Sequence, residues 1–317
     1  MINEILGKNY DETLEAIYQY LLNNSSKFRD HSLFKAVQIN CINASSTDLA
    51  SNEFILQSEN LKDKLLKSDE RSDLKYLSIL LVDLNNENWQ EAAYTLWDKL
   101  DYGSLDKEFL DKIELLRRLV RLVYLHIDDK LIPTLHRLME ILPQDISPSK
   151  ILWEFFDMDS DPLNYSEQLI SMANVILEYR PDDPETNYFL GFILYIMEDF
   201  QSSMKHYKSS LNLCYTKSEL YGNIGLLLGR IGYCHLSLGE YSDAINCASI
   251  AIVKYEELRS QDNSDKMFYP MAYTLRARAY IEQGRYELAK DDILLGLEYD
   301  SDNEDLNELL QEINGVL

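Results

Sequence analysis

Glycine and proline are scarce in this chain, 11 and 7 among 317 residues. They cluster at turns, and the chain between them reads as nearly all helix. No region shows the period-two alternation and closely set turn signals of an all-β fold. Basic residues are also few: 30 Lys and Arg stand against 54 Asp and Glu, for a formal net charge of -24. Affinity for nucleic acid rests largely on cations meeting phosphates, so nucleic acid is not an expected partner. No apolar run approaches the roughly 20 residues that span a bilayer, and no membrane partner is expected. The opening MINEILGKNYDETLEAIYQYLL has no cationic stretch ahead of an apolar core, so no secretory signal is expected. The cysteines, at 41, 214, 234 and 247, are widely spaced and fall in helical patterns. We expect free buried thiols and a cytoplasmic location.

Signatures of catalysis and metal binding are missing too. The sequence has no Gly-x-Ser-x-Gly, no phosphate-cradling glycine loop, no HExxH and no CxxC. Asp157, Asp159 and Asp161 imitate the start of a calcium loop, but Pro162 stands where the turn glycine belongs and Gln168 where the closing Glu belongs. His126 beside Asp128 and Asp129 reads as a solvated helix end. We therefore expect no catalytic residues, no metal site, no cofactor and no enzyme.

What the sequence does hold is a helical hairpin pattern that recurs in three windows of equal length, 184–217, 225–258 and 270–303. The last is the cleanest. A helix from about Met271 to Gln283 ends at Gly284, where a left-handed conformation comes without a Cβ penalty. A second helix runs from about Tyr286 to Leu297. Tyr273, Ala277 and Tyr280 share a face of the first helix, and Ala289, Ile293 and Leu297 share a face of the second. The middle window repeats the arrangement with Gly232, Gly239, Tyr241, Ala244, Ala248 and Ala251. The first has Gly191, Phe200, Ser203 and Tyr207, with Glu198 in place of the turn glycine. A unit of this kind cannot bury its apolar face alone and stacks on its neighbours.

The cores Gly239–Tyr241–Ala244 and Gly284–Tyr286–Ala289 resemble the tetratricopeptide repeat family. The resemblance is good over roughly the last 140 residues and weak upstream, where Trp89, Ala92, Ala93 and Leu96 suggest one degenerate hairpin. Departures are the first large residue (Asn187, Leu228 or Tyr273) and the missing closing proline. The resemblance implies an all-α fold, a right-handed superhelical solenoid of helix-turn-helix repeats. We expect residues 1–146 to form an N-terminal helical region with degenerate hairpins, and 147–317 to carry the repeats. An acidic amphipathic helix, with Leu306, Leu309, Leu310 and Ile313 on one face, closes the chain as a cap.

In this family the inner face of the first helices lines a concave groove that holds peptides or helices. Carried onto this chain, that face comprises Tyr188, Phe192 and Tyr195, then Arg230, Tyr233 and Ser237, then Thr274, Arg278 and Ile281. Aromatic residues and arginine are the types enriched at binding hot spots. The expected partner-binding residues are Tyr188, Phe192, Tyr195, Arg230, Tyr233 and Arg278. Two functions are compatible with the sequence. One is a non-catalytic scaffold or adaptor that binds a peptide or helix of another protein. The alternative is an acidic inhibitor that neutralises a basic protein through its outer surface.

Overall fold

A computed structural model describes residues 5–29, 32–37, 39, 52–68, 72–101, 103, 105–124, 131–157, 162–216, 224–259 and 268–315. Every secondary-structure element among them is helical, so the protein is all-α. Of the features singled out in the sequence, Cys41, His126, Asp128, Asp129, Asp159 and Asp161 lie outside the described residues. The chain divides into two compact units, Met1–Phe155 and Phe156–Leu317.

The first unit contains α1 (Lys8–Asn23), α2 (Asn52–Lys67), α3 (Ser72–Asn85), α4 (Trp89–Tyr94), α5 (Lys107–Tyr124) and α6 (Leu131–Ile141). Helix α4 runs on as a π-helical turn over Thr95–Lys99. Helix α1 packs on α3 and α5. Its Tyr10 hydroxyl donates to the Leu84 carbonyl at 2.8 Å, and the Tyr20 ring stacks on Phe109 with centroids 4.2 Å apart. Helix α2 is tied to α3 by Lys62, whose ammonium lies 2.6 Å from the fully buried Asp83 carboxylate.

Next come α7 (Ser149–Asp157), α8 (Ser166–Tyr179), α9 (Pro184–Ile196), α10 (Phe200–Thr216), α11 (Ile224–Ser237), α12 (Tyr241–Arg259), α13 (Phe268–Glu282), α14 (Tyr286–Tyr299) and α15 (Glu304–Asn314). From α8 to α15 each helix packs on the next in chain order, and α11, α13 and α15 also touch one another in succession. That is the contact pattern of stacked hairpins, a helical-repeat solenoid. Local chemistry sets the helix starts. Asp183 accepts the Thr186 amide at 2.9 Å with Pro184 in the first turn, and Asn303 accepts the Leu306 amide at 3.1 Å. Leu306, Leu309 and Ile313 of α15 are buried, while Glu304, Asp305, Glu308 and Glu312 stay exposed, as a terminal cap requires.

One turn recurs within the hairpins. Gly239 and Gly284 have φ of 74° and 69°, and Glu198 and Glu87 stand at the matching places with φ of 61° and 56°. Each of these residues donates its amide three residues back, and the next residue donates five back. The pairs are Gly239 to Leu236 and Glu240 to His235 at 3.0 and 2.9 Å, and Glu198 to Tyr195 and Asp199 to Leu194 at 3.0 and 2.9 Å. These are Schellman closures, which satisfy the last carbonyls of the first helix. An aromatic residue always follows two places on: Trp89, Phe200, Tyr241 or Tyr286. Three places further stand Ala92, Ser203, Ala244 and Ala289, all fully buried. The hairpin of α3 and α4 in the first unit therefore shares the turn and register of the three in the second.

Candidate functional site

The candidate face lies on three successive first helices, α9, α11 and α13, and all six expected partner-binding residues are half-buried on them. Tyr188, Phe192 and Tyr195 lie over an apolar core that includes Tyr207, Ile224, Leu227 and Ile231. The Tyr188 ring sits 5.7 Å from Tyr207, and Tyr195 meets Phe200 edge-on at 5.3 Å. Phe192 is met edge-on by Phe156 at 5.3 Å, so part of its ring is already covered.

Arg230 follows on α11 among tyrosines. Its guanidinium is hydrogen-bonded to Tyr188 and close to Tyr207 and Tyr233. Burial works against its charge, but the surrounding phenols outweigh that and move its pKa upward. Its Nε is buried without a hydrogen-bond partner, and so is the Tyr207 hydroxyl beneath it. Tyr233 comes next, its hydroxyl donating to the Met271 carbonyl at 3.4 Å. Burial pushes the Tyr233 phenol up to about 12, against the pull of Arg278 and Arg230 on either side. Arg278 completes the stripe, with Nη2 donating to Asp305 of the cap helix at 2.8 Å.

Beyond Arg278 is a cleft of about 380 Å³ lined by Leu236, Tyr241, Ile281, Glu282, Asp305, Glu308, Leu309 and Glu312. Thr274 does not join the expected face. It is buried, and its hydroxyl donates to the Pro270 carbonyl at 2.8 Å, which satisfies it within its own helix. Phe156 and Tyr207 as neighbours of this stripe are not readable from sequence spacing. The acidic run after residue 297 was the one available signal for Asp305.

At the turn into α12, His235, Glu240 and Asp243 bring a ring nitrogen and two carboxylates within 4.8 Å of one another. His235 Nδ1 lies 2.6 Å from Glu240 Oε2. Both acids flank a helix start, where the macrodipole already favours negative charge. Cys214 and Cys234 are buried and Cys247 half-buried, and among the described residues none of them forms a disulfide. No described helix is long and apolar enough to cross a membrane.

The last complete hairpin, α13 with α14, has the small residue pair Ala277 and Ala289 at its crossing, both fully buried. Residues 272–303 match the tetratricopeptide repeat. That repeat spans most of α13, all of α14 and the turn before the cap helix. Several solved structures are similar at low identity. The Cut9 and Hcn1 hetero-tetramer of the APC/C matches with 13% identity over 90% of this chain and 49% of that one, at a TM-score of 0.46. This chain thus spans about half the length of that relative. Aspartyl phosphate phosphatase F from Bacillus subtilis matches at 15% identity over 95% of this chain and 77% of that one, TM-score 0.44. A Rap protein complexed with competence and sporulation factor matches at 14% identity over 99% and 87%, TM-score 0.40. No curated protein sequence matches this chain.

Proposed function

We propose that this chain is a non-catalytic protein-interaction scaffold that holds a peptide or helix of another protein against the inner face of α9, α11 and α13. The observation that carries this is the stripe itself. Tyr188, Tyr195, Arg230, Tyr233 and Arg278 are half-buried side by side on helices that are otherwise closed by their own hairpins. Aromatic and arginine side chains that keep an open edge over a packed core are the anchors of protein interfaces. The free thiols support a cytoplasmic place of work. The test is capture from cell lysate with the wild type and a folded Arg230→Ala/Arg278→Ala double variant, at low and moderate salt. A partner kept by the wild type through moderate salt and lost by the variant is expected. Unchanged affinity in the folded variant would remove the groove from consideration.

A second observation favours the acidic exterior. In the first unit, a cleft of about 600 Å³ between α1 and α5 is lined by Glu12, Glu15, Asp106, Glu108 and Asp111 around Tyr20 and Phe109. Under this reading the chain captures a basic protein by charge complementarity. Exposed charges are screened beyond about 8 Å at physiological salt, so association would slow steeply with added salt. A basic partner retained by the double variant but released by salt would support this reading over the groove.

A further inference from the structure

Resting on the groove reading, the two arginines of the stripe are not equivalent. Arg278 is already neutralised: it donates to Asp305 at 2.8 Å, and Glu282, Glu308 and Glu312 line the same cleft. A partner carboxylate approaching it would have to displace an acid of this chain and meet three more. Arg230 has no carboxylate within ion-pair distance among the described residues, although acids outnumber bases 54 to 30 in the chain. Its contacts are tyrosines, and the fully buried Tyr207 hydroxyl below is without a partner; its Nε is a buried donor without an acceptor, as is that of Arg278, so the missing carboxylate is what sets Arg230 apart. The tyrosines around Arg230 favour its charge, but neutral phenols give hydrogen bonds and no formal counter-charge. An oxyanion arriving at the open edge of Arg230 would supply the counter-charge that its own chain does not.

We infer that Arg230 is the specificity residue of the groove and receives the side-chain carboxylate of an Asp or Glu within a bound peptide, while Arg278 does not. The place on the stripe decides for a side chain within the peptide rather than its end. Tyr188 and Tyr195 lie on one side of Arg230, and Tyr233 and the cleft beyond lie on the other, so a bound chain has surface to follow in both directions. The single uncompensated guanidinium decides for a carboxylate over a phosphate, since phosphorylated residues are read by clusters of arginines.

The test is a selection of random dodecapeptides displayed on phage against the full chain, run in parallel with wild type, Arg230→Gln and Arg278→Gln. Wild type and Arg278→Gln are expected to enrich peptides with an Asp or Glu at a fixed place among apolar residues, and Arg230→Gln to enrich peptides without it. A synthetic consensus peptide should bind Arg230→Gln about tenfold more weakly than wild type, as for a charge-assisted hot spot. Its Glu→Gln version should no longer tell the two proteins apart. If Arg230→Gln fails to fold by circular dichroism, the Glu→Gln exchange measured against wild type alone gives the readout, and an unchanged affinity there overturns the inference. The same acidic preference in Arg230→Gln, or its loss in Arg278→Gln only, also overturns it while leaving the groove reading standing. Tighter binding of a phosphoserine version, or a loss on amidating the peptide's C-terminus, overturns the choice of a side-chain carboxylate. Enrichment by none of the three proteins overturns the groove reading, and this inference with it.

Discussion

The ring of Tyr207 lies against the bare backbone of Gly191: a Cβ on that glycine would come within 2.7 Å of the Tyr207 Cδ1. The hydroxyl of Ser203, one turn earlier on the same helix, donates to the Gly191 carbonyl at 2.7 Å. Helix α10 therefore meets α9 through a large ring that needs the space of a missing side chain and a small hydroxyl that bonds the backbone beside it. Tyr207 is fully buried and cannot swing away. Gly191→Ala is expected to destabilise the protein by about 1–3 kcal/mol through overpacking, read as a lower midpoint in urea unfolding. Ala244→Leu and Ala289→Leu, at fully buried crossings of the next two hairpins, are expected to cost a similar amount. If all three are tolerated, the helix crossings are not where this packing puts them.

The turn before α10 carries a different strain. Glu198 has φ of 61°, in the region where Gly239 and Gly284 serve the later hairpins. A side chain there crowds the backbone by about 1–2 kcal/mol, and glycine relieves it at some entropic cost. Glu198→Gly is expected to stabilise by roughly 0.5–1 kcal/mol and Gly239→Glu to destabilise by at least as much. Equilibrium denaturation of both variants checks this. A destabilised Glu198→Gly would mean that the Glu side chain contributes more than its backbone strain costs.

These two sites also mark how far the fold can be read in the sequence. Gly-x-Tyr-x-x-Ala announces its turn because glycine tolerates positive φ, and the small residue that follows announces the helix crossing. Glu198 and Glu87 adopt the same turn without announcing it, because surrounding hydrogen bonds, not their own preference, hold them there. The choice of Tyr188, Phe192, Tyr195, Arg230, Tyr233 and Arg278 rested on the resemblance to the repeat family, with helical spacing placing each group on one face; all six are half-buried. Thr274 fits the same spacing but is buried, since its hydroxyl finds an acceptor within its own helix. The unequal state of the two arginines was not legible, because it depends on where the cap helix brings Asp305.

Asp83 makes the first unit pH-sensitive. It is fully buried on α3, and burial raises its pKa from 3.8 to about 6, with the hydrogen bond and charge of Lys62 acting in the opposite direction. Between about pH 4 and 6 the folded state holds this proton more tightly than the unfolded chain does. The carboxyl therefore contributes stability at low pH that is lost as pH rises through 6, the reverse of an ordinary salt-bridged acid. A rise from 3.8 to about 6 corresponds to about 3 kcal/mol. The difference in unfolding free energy between wild type and Asp83→Asn is expected to shift against wild type by roughly 2 kcal/mol from pH 4 to pH 6.5, since part of the full effect lies below pH 4. A flat difference would show that Lys62 compensates the charge in full.

The two ion pairs of α13 are expected to differ in worth, and the difference bears on the groove. Arg276 grips Asp292 with both Nε and Nη2, at 2.8 and 2.7 Å, and reaches Ser249 with Nη1 at 3.0 Å. Asp292 is buried, so Asp292→Ala strands a half-buried guanidinium and is expected to cost about 3–5 kcal/mol. Arg278 holds Asp305 by one contact at 2.8 Å, with the carboxyl side chain 63% exposed. Asp305→Ala is expected to cost only about 0.2–1 kcal/mol. Double-mutant cycles on both pairs by urea unfolding decide the matter, and equal coupling energies would contradict the contrast. The contrast matters because Asp305→Ala would then uncover Arg278 without disturbing the hairpin stack. Glu282, Glu308 and Glu312 would still line the cleft around it, so the acidic preference of the groove should stay with Arg230, and a second acidic residue in the peptide should add little affinity for this variant.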